Sequence, residues 1–430
     1  MRRVLPVLLP VFLLTGFVVV VTIWDGLAHS SAHMNTQGAN GVSSSYLYYT
    51  LKEASGFVLA RAAKGADGQP TGTPHPVASF TDGFGLEGSD AVLSMQLSPD
   101  GQFLAIDGTR DHGEQVWMFD TQNMTMSLTP PNVMGNFLHW LPNLGHTFLY
   151  RPMMPMGPSA PMDSNGWNPG LWEVDAYTGA HRNIDISVPS AYLIDASPSP
   201  DGSRIIYSTT TGLGLGSSTY IMNSDGSGRT MLLHMPGGAQ SITALFTWSP
   251  NGASVAYEQL SDSPVPFLPA GLWVMHLGSG ALSPSIATTL HPQRLADTDG
   301  GHGYAPVWAP DSSSIAFVLR TNPSNPHANE QVQALQTAIA VVNVATHRSE
   351  IVASPKQTGV QLNLNPSWSS DSANITFIAS NPLNLAIGGT PRYWLAQNVE
   401  AAFEHAQLGP QPQLSLTPLT APMAHIAAVG

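Results

Sequence analysis

A short phrase recurs six times along the chain, and it restricts the fold more than any other feature. It reads Leu97-Ser-Pro-Asp-Gly, Trp140-Leu-Pro-Asn, Pro198-Ser-Pro-Asp-Gly, Trp248-Ser-Pro-Asn-Gly, Trp308-Ala-Pro-Asp-Ser and Trp368-Ser-Ser-Asp-Ser. Each copy is followed by a short apolar run, such as Phe103-Leu-Ala-Ile, Val255-Ala-Tyr or Ile315-Ala-Phe. Successive copies lie 43 to 60 residues apart. A tight turn feeding an apolar strand at such a period marks stacked units of like size. Strand-rich units of this kind predict a β-propeller of four-stranded antiparallel blades.

The copy around Pro250 shows one blade. Residues 242–248 read as strand A and 254–259 as strand B, joined by Ser249-Pro-Asn-Gly. In that turn Pro fixes φ, while Asn and Gly tolerate the left-handed region. Leu272-Trp-Val-Met reads as strand C, and residues 288–295 as strand D. The stretch before the first copy supplies strands B, C and D only: Tyr46-Leu-Tyr-Tyr-Thr, Phe57-Val-Leu-Ala and Val77-Ala-Ser-Phe. Residues 423–429 are apolar enough to supply the missing strand A. The reading is therefore seven blades closed by both termini, which removes exposed sheet edges. The runner-up is six blades, with the N-terminal strands as an accessory.

The phrase Trp-Ser-Pro-Asp-Gly followed by Ile-Ala-Phe resembles the TolB-like propeller repeat, and is similar to the propeller repeats of prolyl-oligopeptidase-type peptidases. The resemblance covers residues 90–380. It implies the fold and leaves the role open, because that repeat serves many functions. The chain departs from the pattern where Leu97 and Pro198 replace Trp, and where Ser370 replaces Pro.

Composition narrows the role. The net charge is −13 with no basic stripe, which argues against a nucleic-acid partner. Cysteine is absent, so disulfides, thiolate metal sites and cysteine nucleophiles are excluded. Arg2 and Arg3 precede the uncharged stretch 4–24, in which 15 residues are Val, Leu, Ile or Phe. Those residues contribute about −5 to −9 kcal/mol toward insertion before the prolines, threonines and glycine are counted against them. The stretch matches a bilayer core in length. It predicts a transmembrane signal anchor over 1–24, then a polar linker over 25–45, then one propeller domain over 46–430. A cleavable signal peptide, followed by Ala28, Ser30 and Ala32, is the alternative. The positive-inside rule places the propeller outside the cytoplasm, at the periplasm or cell surface.

The A–B turns are tight in every copy and the C–D turns are mostly short. Length varies in the B–C and D–A connections, which share one face of the disc. Binding usually resides in long loops on a rigid scaffold, so that face is the candidate functional face. Its densest charged cluster is Asp107, Arg110, Asp111, His112 and Glu114, readable as a polar-ligand site or as a self-satisfied salt-bridge loop. The insertion 151–169 carries Met153, Met154, Met156, Met162 and Trp167. Methionines suit Cu(I) or, more commonly, adaptable partner contact. Asp297, Asp299 and His302 lie in a Gly-rich loop faintly like a Ca²⁺ loop, without its distal Glu. Residues 399–408 read as a short amphipathic helix. Asp100, Asp201, Asp311 and Asp371 recur once per repeat, which fits a turn role rather than catalysis. No catalytic residue is assigned and no cofactor is expected. The metal question stays open, because a set converging on the central channel from several blades leaves no sequence trace. A protein or polymer partner is expected. The other reading is a hydrolase or lyase with its site at the channel mouth.

Overall fold

In the computed structural model the described residues are 46–53, 56–64, 70–79, 91–110, 113–128, 135–152, 170–184, 192–212, 215–237, 241–260, 270–278, 290–298, 305–322, 336–381, 392–403, 413–418 and 425–427. They form an all-β propeller of four-stranded antiparallel blades. Six blades, here numbered in chain order, are each built from four consecutive strands. Blade 1 begins at Ala91–Leu97, blade 2 at Gly135–Trp140 and blade 3 at Tyr192–Pro198. Blade 4 begins at Ile242–Trp248, blade 5 at Val307–Trp308 and blade 6 at Leu362–Trp368. From blade 2 to blade 6 these first strands touch one another in succession, which places them as the inner strands around the axis.

A seventh four-stranded sheet is composite. Tyr46–Glu53, Gly56–Lys64 and Pro70–Ser79 are completed by His425–Ala427, which pairs antiparallel with Tyr48–Thr50. The number of contiguous blades is thus that of the runner-up reading. The N-terminal strands are nonetheless no three-stranded accessory, because the C-terminal segment adds the fourth strand. Tyr48 and Leu59 of this sheet share a core with Met95, Leu104, Ile106, Trp117 and Phe119 of blade 1.

A blade packed on both faces has a second strand whose apolar residues run consecutively, as Val255-Ala-Tyr, rather than alternating. Ser254–Leu260 is buried at every position. The hydrophobic core is accordingly a series of layers between blades. Ala105 and Met118 of blade 1 meet Phe137, Trp140 and Phe148 of blade 2, and Val318 and Val341 of blade 5 meet Leu364, Trp368 and Phe377 of blade 6.

The recurrent tryptophan has a second role besides filling these layers. Each indole donates to a backbone carbonyl on the inner strand of the preceding blade: Trp140 to Gln96 at 3.1 Å, Trp248 to Ser197 at 3.2 Å, Trp308 to Thr247 at 3.0 Å and Trp368 to Val307 at 3.0 Å. A buried indole N–H needs such a partner. Pro198 cannot supply this bond at the seam between blades 2 and 3. There the Arg151 guanidinium crosses instead, donating to the Ile194 carbonyl at 2.7 Å.

Two sequence expectations shift. The outer strand of blade 4 is Gln293–Asp297, displaced toward the C-terminus from 288–295, and it pairs with Gly271–Val274. The expected helix begins as a 3-10 turn over Val399–Ala402, with residues 404–408 outside the described residues. The predicted anchor and linker, 1–45, also lie outside them. Among the described residues no helix is long and apolar enough to cross a membrane.

Candidate binding face

The two faces of the disc differ in construction. On the turn face, Ser98, Ser199, Ser249 and Ser369 each accept a backbone N–H five residues on, at 2.9 Å in all four copies. The Asp or Asn two residues after the serine accepts from that hydroxyl and from the backbone beyond it. The turn then passes through a left-handed residue: Gly101 at φ 73°, Gly202 at 66° and Gly252 at 70°. Blades 5 and 6 place Ser312 and Ser372 there, at 65° and 61°. The repeat aspartates are therefore turn residues, as their even recurrence implied. Burial pushes the Asp201 carboxyl up. Hydrogen bonds from Ser199 and Ser203 outweigh that and hold it below the usual carboxylate value. The same balance, with Ser98, Gln102 and His146 as donors, holds for Asp100.

The turns also bind one another. The Asn251 amide donates to the Ser312 hydroxyl and the Asp311 amide to the Ser372 hydroxyl, each at 3.2 Å. Arg204 reaches from blade 3 to the carbonyls of Gly252 and Gly278 in blade 4, at 2.9 and 3.2 Å, with its guanidinium 4.9 Å from the Trp248 ring centroid.

On the opposite face, where inner strands begin and second strands end, buried polar groups gather along the seams. Asn136, fully buried, holds Arg151 through its carbonyl oxygen at 2.7 and 3.2 Å. Asp195 accepts from the Phe246 amide of blade 4 at 3.0 Å. Ser208 donates to the Thr243 carbonyl at 2.6 Å, and Thr337 to the Asn363 carbonyl at 2.9 Å. The Thr298 hydroxyl donates to the buried Glu258 carboxylate at 3.1 Å. One position repeats through this set. Asp107, Arg151, Ser208 and Glu258 occupy equivalent places on the second strands of blades 1 to 4, where blades 5 and 6 have Val318 and Ile378. Four adjacent blades thus carry polar groups beneath one sector of the loop face. Tyr192 and Leu215, 58 % exposed each, stand on the same face of blade 3.

The residues singled out from the sequence are only partly brought into view. Arg110 and Glu114 sit on paired strands. Arg110 faces Gly113 across the ladder, so the pairing runs to within two residues of closing. The charged cluster is therefore a hairpin tip rather than a long loop, and Asp111 and His112 between the strands lie outside the described residues. Asp297 ends the outer strand of blade 4 at the loop face, exposed and ion-paired with Arg294. Asp299 and His302 fall outside the described residues, as do Met153, Met154, Met156, Met162 and Trp167. Among the described residues these groups are not brought together in one site. Among the described residues no group of His, Asp or Glu is arranged to hold a metal. The seam network of Asn136, Arg151, Asp195 and Glu258 was missed. Its one sequence signal is a charged residue ending an apolar run, as in Thr147-Phe-Leu-Tyr-Arg.

No protein-family model and no curated protein matches the chain. Solved structures do match in fold. TolB from Acinetobacter baumannii is 16 % identical, with a TM-score of 0.42, over 72 % of this chain and 63 % of that one. Oligogalacturonate lyase in complex with manganese is 13 % identical, TM-score 0.52, over 84 % and 88 %. A structure from a study of two prolyl endopeptidases is 12 % identical, TM-score 0.54, over 93 % of this chain and 52 % of that one. The chain thus spans less than two thirds of the TolB and prolyl endopeptidase chains. The TolB-like repeats do fold as a propeller, and these likenesses concern the fold alone.

Proposed function

We propose that the protein is a membrane-anchored, extracytoplasmic propeller that binds a protein or polymer partner on its loop face. The contrast between the faces carries this reading. Turns of one geometry are bound to each other on one side, whereas connections of unequal length stand over a rigid polar layer on the other. Such a scaffold tolerates change in its loops without loss of fold. In this reading residues 4–24 hold the protein at the membrane. The Met-rich insertion 153–169, with Trp167, supplies adaptable contact surface, and Arg110, Glu114 and Asp297 mark its polar rim. The composite sheet acts as a seventh blade that closes the ring.

Cross-linking in intact cells followed by pull-down tests the reading. The expected result is a retained partner that is lost when the 153–169 insertion is shortened, with the denaturation midpoint unchanged. Recovery at background level, or equal recovery from the shortened protein, would count against it. A second reading, a hydrolase or lyase at the channel mouth, draws on the buried carboxylates Asp107 and Glu258, since groups so placed are candidates for acid–base work. Turnover of a polyuronate or peptide library, abolished by Glu258→Gln in a folded variant, would favour it.

A further inference from the structure

We propose that His146 is a proton-dependent clasp between blades 1 and 2 on the turn face. His146 lies in the A–B turn of blade 2. Its Nδ1 is 3.2 Å from Asp100 Oδ2, in the A–B turn of blade 1. Its Nε2 is 3.3 Å from Asp175 Oδ2, in the C–D turn of its own blade. Each carboxylate is anchored by its other oxygen. Asp100 Oδ1 accepts from the Ser98 hydroxyl and the Gln102 amide, and Asp175 Oδ1 from the amides of Tyr177 and Thr178 and the Thr178 hydroxyl. The acceptors are thus held in place, and the ring bridges them.

Neighbouring groups fix the ring's position. The rings of Phe103 and Tyr177 lie 5.9 Å from it, centroid to centroid. Gly145 precedes it at φ 56°, and a Cβ there would come within 3.1 Å of Asp100 Oδ2. The ionisable groups facing the imidazole are therefore Asp100, Asp175 and the Tyr177 phenol.

The proton requirement follows from the inventory of donors. A neutral imidazole has one N–H and one bare nitrogen, while the imidazolium has two N–H groups. Two ionised carboxylates on opposite edges of the ring are both satisfied only by the imidazolium. Loss of the proton leaves one carboxylate facing a lone pair. Donation to Asp100 is the bond between blades, so the tautomer that keeps Asp175 releases blade 1. Histidine is the side chain whose charge changes in the neutral range. The seam is therefore tight under mildly acidic conditions and looser under alkaline ones. Burial pushes both carboxyls up, but their hydrogen bonds, with help from the His146 charge, hold them below the usual value. They thus stay ionised across the neutral range. The groups are about one third exposed, so screening keeps the effect modest.

Two measurements on the full chain test the clasp. Nitrogen-15 imidazole spectra at about pH 5.5 should show both His146 nitrogens protonated. Amide exchange at Ser98, Phe103 and Thr147, corrected for intrinsic rate, should lose roughly two- to fivefold in protection between about pH 5.5 and about pH 8.5. His146→Gln should abolish that dependence. Asp175→Asn, which leaves one carboxylate for a neutral ring to satisfy, should shrink it even where the glutamine variant folds poorly. A neutral tautomer at the lower pH, or a wild-type pH dependence retained in both variants, would overturn the proposal.

Discussion

Between strands A and B the chain closes with one hydroxyl-centred turn in four blades, the serine accepting from the backbone at 2.9 Å each time. Between strands B and C the connection ranges from residues 111–112 in blade 1 to the span 153–169 in blade 2. The first region repeats because neighbouring turns must meet around the axis, where the available room is the same at every blade. The second varies because its ends are already fixed by the paired strands beneath, so added length costs only loop entropy, which grows slowly. Substitutions on the turn side and in the seams should therefore act on stability, and those on the loop side on recognition.

The largest effect is expected at Trp248, where the indole fills a layer between blades, bonds the Ser197 carbonyl and lies against Arg204. Trp248→Ala should cost about 3–5 kcal/mol in urea denaturation. Shortening the 153–169 insertion should leave the same midpoint unmoved. Equal losses from both changes would erase the distinction between the two regions. Next in size is Asn363, fully buried, whose side-chain amide donates to the Thr337 carbonyl at 2.8 Å while its backbone N–H donates to the Thr337 hydroxyl at 2.9 Å. Asn363→Ala leaves a buried carbonyl without its donor and should cost about 1–3 kcal/mol by the same measurement. A loss well below that would mean water enters the seam.

The repeat was legible because each turn needs the same residue types at the same spacing. Strand A, the turn and strand B around Pro250 lie where their residues place them, since Pro and Gly punctuate both ends. The outer strand of blade 4 was less legible. Its residues 293–297, Gln-Arg-Leu-Ala-Asp, are exposed or half-buried with only two apolar members, so no hydrophobic run marks their start. The fourth strand of the composite sheet was visible as an apolar tail, but its pairing with Tyr48–Thr50 is a contact across nearly the whole chain that no local pattern encodes. The polar seams were illegible for a related reason. Arg151 and the Ile194 carbonyl, or Asp195 and the Phe246 amide, become partners only when one blade is stacked on the next. His146 escaped notice because its two acceptors belong to different turns.

Acid should separate the regions further. Asp100, Asp201 and Asp371 all have carboxyls held below the usual range. At Asp100 and Asp201 burial opposes the shift and the turn hydrogen bonds prevail. At Asp371 the Ser369 hydroxyl is the main cause. A carboxyl that is more acidic in the folded protein contributes stability above its unfolded value, about 3.9, and loses it as pH falls through the folded value. Melting temperature should therefore drop on the acid side, below about pH 4. Asp201→Asn should flatten that limb while keeping the turn, because Asn251 already fills the equivalent place in blade 4 with the same bonds to Ser249 and Ala253. An unchanged acid limb in this variant would assign the loss to carboxylates elsewhere.

The smallest effect probes the turns themselves. At the left-handed position Gly252 has open space around it, the nearest atom to an added Cβ being Pro200 Cδ at 4.0 Å. Gly252→Ala should thus cost only backbone strain, about 1–2 kcal/mol. Blade 5 carries that strain already in Ser312, yet its hydroxyl accepts the Asn251 amide of the neighbouring turn at 3.2 Å. Ser312→Gly relieves the strain and deletes the link, and the two terms are of similar size. Its net change in urea stability should therefore lie within about 0.5 kcal/mol of zero. A gain of more than about 1 kcal/mol would mean that the turn-to-turn bond contributes nothing, and that the turns repeat for local reasons alone.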